Sequence, residues 1–270
     1  MSKPRPNPRV TEIERPFTGP SGWIEGLGLA AITLVRCIGL YLNILAGRAR
    51  LDLPAFAQAL RQSGLSILPA ITLVSLALGA ILGHQTGAIL KGFDAPQLVL
   101  LSITYAVVME LVPVLVGILV AGRAGVDLAV RQASLSVSGE VDGLLAMGID
   151  PILYTLAPTL LAMLIMSFAF AIWGSLMTII ATFLWLSLVS QITPALFLDS
   201  FINAIQPADL LEAIGKPLLF ALLIALLATV YGTAAGRNPQ NIGAAATRTM
   251  IGAVAAILVA DLVVILLTSS

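Results

Sequence analysis

The stretch that decides the fold runs from Glu110 to Pro151 and reads ELVPVLVGILVAGRAGVDLAVRQASLSVSGEVDGLLAMGIDP. Long apolar runs flank this stretch, whereas residues 123–150 within it are rich in small and polar side chains. A membrane protein that leaves the bilayer and then re-enters it displays the intervening segment to water. We therefore interpret residues 123–150 as an aqueous segment that contains a docking helix for a soluble partner.

Composition places the chain in the membrane. The 270 residues are 59% hydrophobic and only 10% charged, whereas a soluble domain carries roughly 25% charged residues. Polar side chains are too few to cover a water-facing surface, so we predict an all-α integral membrane protein. The 14 basic and 14 acidic residues cancel, which gives no reason to expect a nucleic acid partner.

The N-terminal region is expected to lie outside the bilayer core. Residues 1–20 hold five prolines and mixed charge, a composition typical of a disordered tail, here a cytoplasmic one. Residues 21–50 have a helical pattern but contain one acidic and three basic residues. Each ionised group at mid-bilayer costs about 2.5–3.5 kcal/mol. We therefore predict an interfacial or re-entrant amphipathic helix over residues 21–50, at the start of a single domain over residues 21–270.

Long uncharged or nearly uncharged runs predict the spans. Residues 151–198 carry no formal charge and would extend about 72 Å as one helix. They form either one long span followed by an apolar exit segment, or two spans. Read with the first alternative, the chain has five predicted spans, at about residues 62–90, 95–122, 152–190, 212–236 and 245–268.

The distribution of basic residues favours five spans. Eight of the fourteen Lys and Arg residues precede the first span, two lie in residues 123–150, and two flank the last turn. Five spans place these twelve on one face, as the positive-inside rule expects, whereas a sixth would move two of them outside. The N-terminus is therefore predicted in the cytoplasm and the C-terminus on the outer side.

Four ionisable residues lie in or beside the predicted spans: Glu110, Lys216, Arg248 and Asp261. Such groups are expected to face a cavity or a partner rather than lipid. They fit the polar lining of a substrate path, and they also fit mutual pairing that fixes the order of the helices. The two interpretations are compatible.

Glycine spacing predicts a packing face in the first span. Gly79, Gly83 and Gly87 recur every four residues, which places a flat stripe on one side of a helix. Another helix can approach closely along such a stripe. The alternative is the general tolerance of membrane helices for glycine.

Motifs for catalysis are lacking in the sequence. His84 is the single histidine, so it predicts no metal cluster, and at the end of a span it is expected to be structural. Gly215-Lys216 is followed by Pro217 and lacks the upstream glycine of a phosphate-binding loop. We expect no enzyme activity and no cofactor in this chain, so that any ATP would be bound by another subunit.

Several short motifs together resemble the MlaE (YrbE) permease family. The family pattern is close to R-E-L-G-P-V, A-G-R-x-G, E-Q-I-D-A-L and A-M-G-x-D-P. The matching residues here are Met109–Leu115, Ala121–Gly125, Val141–Leu144 and Ala146–Pro151, with further similarity at Arg61-Gln62, Lys216, Ala246–Thr249 and Asp261. The resemblance covers about residues 25–268.

The resemblance implies the membrane half of an ABC transporter for phospholipid in the bacterial inner membrane. Two copies would pair with two cytoplasmic ATPases that carry ATP and Mg²⁺, and with a ring of periplasmic MCE-domain proteins. A small STAS-domain protein often accompanies the ATPase. Such systems are linked to outer-membrane lipid asymmetry, and the C-terminus would be periplasmic.

The resemblance also implies that residues 123–150 include the coupling helix that sits in a groove of the ATPase. The residues expected to serve this coupling are Gly122, Arg123, Gly125, Glu140, Asp142, Met147 and Gly148.

The sequence departs from the family pattern in places. Met109 replaces an arginine, which leaves Glu110 without an adjacent cation. Arg131 replaces a commonly acidic residue, and Gly139 replaces the first residue of E-Q-I-D. These departures indicate a divergent member with its own matched ATPase.

A transport mechanism must shield the lipid tails. Exposing roughly 30 methylene groups to water, at about 0.8 kcal/mol each, would cost on the order of 25 kcal/mol. The apolar faces of the first and last spans are expected to supply a continuous wall at a dimer interface. Lys216 is expected to attract the headgroup phosphate. The alternatives are a secondary transporter, which usually has internal repeats that are not evident here, and a passive scaffold for the MCE ring.

Overall fold

The computed structural model describes residues 20–47, 52–90, 92, 96–189, 191–204 and 209–268. Every regular element within these ranges is helical, which confirms the all-α class. The tail predicted over residues 1–20 lies outside the described residues except for Pro20.

Eleven α-helices are assigned in the described part of the chain. In chain order, they are α1 Pro20–Leu45, α2 Leu53–Leu60, α3 Leu68–Leu90, α4 Pro96–Ala106, α5 Val112–Val120, α6 Val126–Ser138, α7 Glu140–Ala146, α8 Pro151–Val189, α9 Pro194–Ala204, α10 Asp209–Thr233 and α11 Asn241–Thr268.

Three π-helical turns interrupt these helices, at Arg61–Leu65, Val107–Leu111 and Ala121–Gly125. A π-turn adds a residue to the helical repeat and occurs frequently at functional sites. The second turn contains Met109 and Glu110, and the third contains Arg123. Two of the motifs that carry the family resemblance therefore lie at local irregularities in otherwise regular helices.

Six helical runs in the described residues are long and apolar enough to cross a membrane. Five of them overlap the predicted spans, and the sixth, Ile24–Leu45, falls in the segment predicted to be interfacial. Its 22 residues meet the roughly 20 residues that a crossing requires. Length and composition therefore permit this helix to span, and its interfacial placement stays a prediction. The six runs are Ile24–Leu45, Leu53–Leu90, Gln97–Ser138, Pro151–Val189, Glu212–Thr233 and Asn241–Thr268.

No break in the helix marks the predicted membrane boundary after residue 122, which stays a prediction. The helical run Gln97–Ser138 continues through it, because Ala121, Ala124 and Leu128 stay buried on one side of the helix. The run ends at Gly139, which has a φ of +76°, a conformation that glycine adopts without steric cost. Residues 123–150 thus comprise the end of a long helix, a turn at Gly139 and the short helix α7.

Residues 151–189 form one helix and not two. The 39 residues of α8 reach roughly 58 Å at 1.5 Å per residue. Pro158 lies within the first turns of this helix without ending it. A separate short helix, α9, begins at Pro194, where proline's fixed φ suits a helix start. The arrangement corresponds to the first alternative, a long span followed by an apolar exit segment.

The described residues group into two compact units, a subdivision that the sequence did not indicate. The first unit comprises the described residues within Met1–Leu60, Ala121–Ala162 and Leu222–Ala255. The second unit comprises those within Arg61–Val120, Met163–Ala221 and Ala256–Ser270.

In the first unit, close backbone approach holds α6 against α10. A Cβ added at Gly232 of α10 would lie 2.8 Å from the carbonyl oxygen of Ala129 in α6, too close for any side chain. The buried Gln132 of α6 donates a hydrogen bond from its amide to the hydroxyl of Thr155 in α8. The bond gives the buried amide of Gln132 a partner, and without one its burial would cost free energy of folding.

In the second unit, α3 and α8 pack along the predicted glycine stripe. A Cβ at Gly79 would collide with the carbonyl oxygen of Thr178, and one at Gly83 would lie 2.7 Å from Cβ of Trp185. The hydroxyl of Thr182 donates a 3.0 Å hydrogen bond to the carbonyl of Gly79. Gly87 is buried as well. The two helices approach closely because these positions carry no side chain.

Candidate functional site

A buried lysine organises the polar residues of the second unit. The side chain of Lys216, on α10, is only 1% exposed. Its Nζ lies 2.7 Å from Oε1 of Glu110, 2.9 Å from Oε1 of Glu212 and 3.2 Å from Oδ1 of Asp261. It also donates a 3.1 Å hydrogen bond to the carbonyl oxygen of Met109. We refer to Lys216, Glu110, Glu212 and Asp261 as the Lys216 cluster.

The local sequence explains each member's position. Glu212 precedes Lys216 by four residues on α10, which places the two side chains on the same helix face. Pro113 lies four residues after Met109 and has no N–H, so the Met109 carbonyl lacks its usual α-helical donor. The lysine ammonium supplies a donor to that carbonyl. Glu110 reaches the cluster from the π-turn, and Asp261 from α11.

The cluster joins three separate chain segments through one cation. Burying an ammonium alone would be costly, and the surrounding carboxylates and carbonyl offset that cost. With all groups ionised, three carboxylates surround one ammonium, so the cluster carries an excess of negative charge. Oε2 of Glu110 is buried and has no hydrogen-bond partner in the part of the chain that the structure describes. The cluster thus retains an unused acceptor.

A cavity of about 740 Å³ adjoins the cluster. Its lining combines Glu110, Glu212 and Lys216 with the apolar side chains of Leu219 and Val264. A volume between about 300 and 1,000 Å³ is typical of small-molecule sites, as is a lining that mixes apolar surface with a few polar groups. The second unit therefore holds a space with both ionic and hydrocarbon-like walls.

Three of the four predicted intramembrane polar residues meet in this cluster, and the fourth does not. Arg248 belongs to the first unit, where its exposed side chain lines a small cavity with Tyr231 and Asn241. Among the described residues, Arg248 has no carboxylate within ion-pair distance.

Sequence reasoning missed two residues of this site. Glu212 is one of them, although its four-residue spacing to Lys216 is a usable sequence signal. Tyr105 also lines the cavity, two residues before the π-turn Val107–Leu111. An aromatic residue in an apolar run gives no sequence signal for such a role.

The structure supplies the cation that Met109 appeared to remove. Met109 replaces the arginine of the family pattern, and its side chain is fully buried. Glu110 is nevertheless paired, because Lys216 reaches it from α10. The salt bridge at Glu110 therefore runs between helices and does not depend on the neighbouring residue.

The contact expected between Lys216 and a phosphate stays a prediction, and the ammonium is already surrounded by acceptors in this structure. An ammonium has three N–H donors, and four acceptors already lie within 3.2 Å of Nζ. A direct phosphate contact would require at least one carboxylate to move away.

The predicted coupling residues lie in the first unit. Most of them are exposed, namely Arg123, Glu140, Asp142, Met147 and Gly148, whereas Gly125 is buried and Gly122 half-buried.

Helix α7 presents an exposed surface with both charge and apolar side chains. It contains no buried residue, and Leu145 is 57% exposed. Met147, just after the helix, is 67% exposed. Asp142 pairs with Arg237 at 2.8 Å on the surface. Apolar side chains beside charged ones on a short exposed helix fit the docking role expected for this segment.

Helices long enough to span a membrane and a buried charged cluster beside a cavity are features of a multi-pass membrane transport protein. Residues 56–267 match the family model described as Permease MlaE, so the chain belongs to the MlaE permease family. It is thus a membrane permease of the ABC transporter class.

Relatives from two bacteria and a plant resemble the chain. A probable ABC transporter permease protein of Rickettsia prowazekii is 25% identical over 198 residues, which cover 73% of this chain and 76% of that protein. The intermembrane phospholipid transport system permease protein MlaE of Haemophilus influenzae is 25% identical over 259 residues, covering 89% and 95%. The chloroplastic protein TRIGALACTOSYLDIACYLGLYCEROL 1 of Arabidopsis thaliana is 27% identical over 154 residues, covering 57% and 44%.

Proposed function

We propose that this chain is the membrane-spanning subunit of an ABC transporter that moves phospholipid between the bacterial inner membrane and a periplasmic MCE-domain protein. Family membership supports the transporter class, and the name of the Haemophilus relative supports phospholipid as cargo. The structural observation that carries the proposal is the Lys216 cluster beside a cavity with ionic and apolar walls. An amphiphile needs both kinds of surface.

The assembly follows from the same proposal. Two copies of the chain associate with two cytoplasmic ATPases, which bind ATP and Mg²⁺, and with a periplasmic MCE ring. A STAS-domain protein accompanies the ATPase. The N-terminus lies in the cytoplasm and the C-terminus in the periplasm. The exposed surface of α7, with Leu145 and Met147, docks on the ATPase. Transport of this phospholipid contributes to outer-membrane lipid asymmetry.

The Lys216 cluster sets the resting arrangement of the path. It ties the π-turn Val107–Leu111, α10 and α11 together through one ammonium. Removing a partner from a buried ion pair costs about 3–5 kcal/mol, so a path-opening motion that separates these segments must supply comparable energy. ATP hydrolysis in the partner, transmitted through α7, supplies it. Release of one carboxylate would free an N–H of Lys216 for a headgroup phosphate.

The test is reconstitution of the complete complex. The chain is co-expressed with its genomic neighbours, purified in mild detergent and transferred to proteoliposomes with a fluorescent phospholipid. We expect co-purification of an ATPase and an MCE-domain protein, ATP-dependent transfer of lipid to or from the MCE protein, and lipid-stimulated ATPase activity.

Two results would contradict the proposal. An ATPase that responds to this subunit without any lipid movement would identify a passive scaffold. Lipid movement driven by an ion gradient without an ATPase would identify a secondary transporter.

A further inference from the structure

We call the 740 Å³ cavity beside the Lys216 cluster the ionic cavity. The second unit contains another cavity, of about 480 Å³, whose lining has a different chemistry. Helices α8 and α9, the π-turn Val107–Leu111 and the start of α10 all contribute to its walls. The aromatic rings of Phe168, Phe197 and Phe201 are part of the lining. We call this space the α8–α9 cleft.

Among the residues that the structure describes, the lining of the α8–α9 cleft carries no formal charge. Ser175 contributes the one side-chain hydroxyl of this described lining, and its other side chains are aliphatic or aromatic. A charged or strongly polar ligand would lose its hydration there without gaining partners. The complementary occupant is therefore hydrocarbon.

Part of the cleft wall, from α8, the π-turn and α10, belongs to helical runs that are apolar enough to span the membrane, whereas α9 is a short helix outside those runs. Ile172 and Leu198 of the lining are each 57% exposed, which leaves the cleft open at its edge. An unfilled space of this size would forfeit dispersion contacts along its whole lining. The bilayer supplies a filler directly at the opening.

The size of the cleft favours a slender occupant over a docked helix. A helix of roughly 10 Å diameter fills on the order of 420 Å³ per 5.4 Å turn. A volume of about 480 Å³ thus holds little more than a single turn. A flexible acyl chain can fill the same space without a long rigid body beside it.

The cleft and the ionic cavity share two chain segments. Val108 lines the cleft and Glu110 the ionic cavity, both from the same π-turn. Ala213 and Ile214 line the cleft, while Glu212 and Lys216 line the ionic cavity, again from one turn of α10. An occupant of the cleft therefore touches the segments that hold the Lys216 cluster.

We propose that the α8–α9 cleft binds one acyl chain of a bilayer phospholipid, at a site separate from the ionic cavity. An acyl chain in the cleft packs against the π-turn Val107–Leu111 and the start of α10. It thereby stabilises the segments that hold the Lys216 cluster. That the occupant is a phospholipid chain and not other hydrocarbon rests on the proposed function.

The experiment uses the full complex in nanodiscs that contain a phospholipid with a photoreactive diazirine in one acyl chain. After illumination, labelled peptides are identified by mass spectrometry. We expect labelling of α8 around Ile172–Ile179 and of α9 around Phe197–Phe201. Ser175→Phe and Ile172→Trp place a bulky ring in the cleft, and each should lower this labelling several-fold. Ala169→Phe is the matched control, because Ala169 is exposed on the same helix and does not line the cleft.

Labelling of the wild-type cleft that persists in Ala169→Phe and falls in both filling variants supports the proposal. Absence of label from the wild-type cleft overturns it, as does labelling that stays equally strong in both filling variants. Lipid transfer to the MCE protein is measured on the same samples. Transfer without cleft labelling would refute the cleft and leave the proposed function intact. Cleft labelling without any transfer would leave the cleft proposal intact and contradict the proposed function.

Discussion

The ammonium of Lys216 lies 2.7 Å from the carboxylate of Glu110, although 106 positions separate the two residues in the chain. The pair connects α10 to the π-turn that follows α4, and Asp261 extends the connection to α11. The ion pair therefore fixes how three spanning segments of the second unit meet. It also marks the boundary of the ionic cavity.

Replacing Lys216 by methionine should destabilise the protein by about 3–5 kcal/mol, because three carboxylates would lose their shared cation. Unfolding in mixed micelles by increasing fractions of denaturing detergent measures the change. Glu110→Gln alone should cost less, since Lys216 keeps two other carboxylates. The double variant should cost less than the sum of the two single variants. Strict additivity would show that the pair contributes no coupling.

Arg248→Met should change the stability by no more than about 0.5 kcal/mol, the usual range for an exposed residue outside a special contact. Arg248 is exposed and forms no ion pair among the described residues. The same unfolding assay compares it with Lys216→Met. A loss as large as that of the lysine variant would mean that Arg248 has a structural partner.

Gly79→Val should lower the free energy of unfolding by about 1–3 kcal/mol, the usual cost of overpacking, because it separates α3 from α8. The added Cβ meets the carbonyl oxygen of Thr178, which is backbone and cannot turn aside. Gly243→Ala is the control, because a Cβ there meets no atom within 4 Å. Thermal unfolding in detergent reports both variants. Equal stability of the two would refute close packing at Gly79.

Met147→Glu should weaken binding of the ATPase without unfolding the permease. Met147 is 67% exposed and follows α7, so a charge there stays largely in water in the free permease but would be buried at a docked interface. Arg123→Glu should act in the same direction. Co-purification of the ATPase and its lipid-stimulated activity are the measurements, with Gln240→Glu as an exposed control. An ATPase that remains bound and stimulated in both variants would remove the docking role from this surface.

Labelling of introduced cysteines tests the orientation and the role of α1. In a Cys37→Ser background, Ser2→Cys should react with a membrane-impermeant maleimide only from the cytoplasmic side, and Ser270→Cys only from the periplasmic side. This outcome supports five crossings with an interfacial α1. Reaction of both cysteines from one side would mean that Ile24–Leu45 crosses the membrane as well.

Much of the fold was predictable because the bilayer imposes it. A chain with 10% charged residues must satisfy its backbone within helices where it meets lipid, and long uncharged runs located those helices. Polar side chains after residue 122 predicted an exit from the bilayer, but they did not reveal that a buried face of small residues carries the helix itself on to Ser138. Local polarity reports which groups meet water, whereas packing decides where a helix ends.

The sequence alone determined the class of the protein, its all-helical architecture and its family, because these depend on composition, periodicity and ordered motifs. It also singled out Glu110, Lys216 and Asp261 as unusual for a membrane. Only the tertiary structure decided that these three share one ammonium, that Glu212 joins them and that Arg248 does not. The physical reason is that a buried charge finds its partner through space, across helices whose packing no single stretch of sequence specifies.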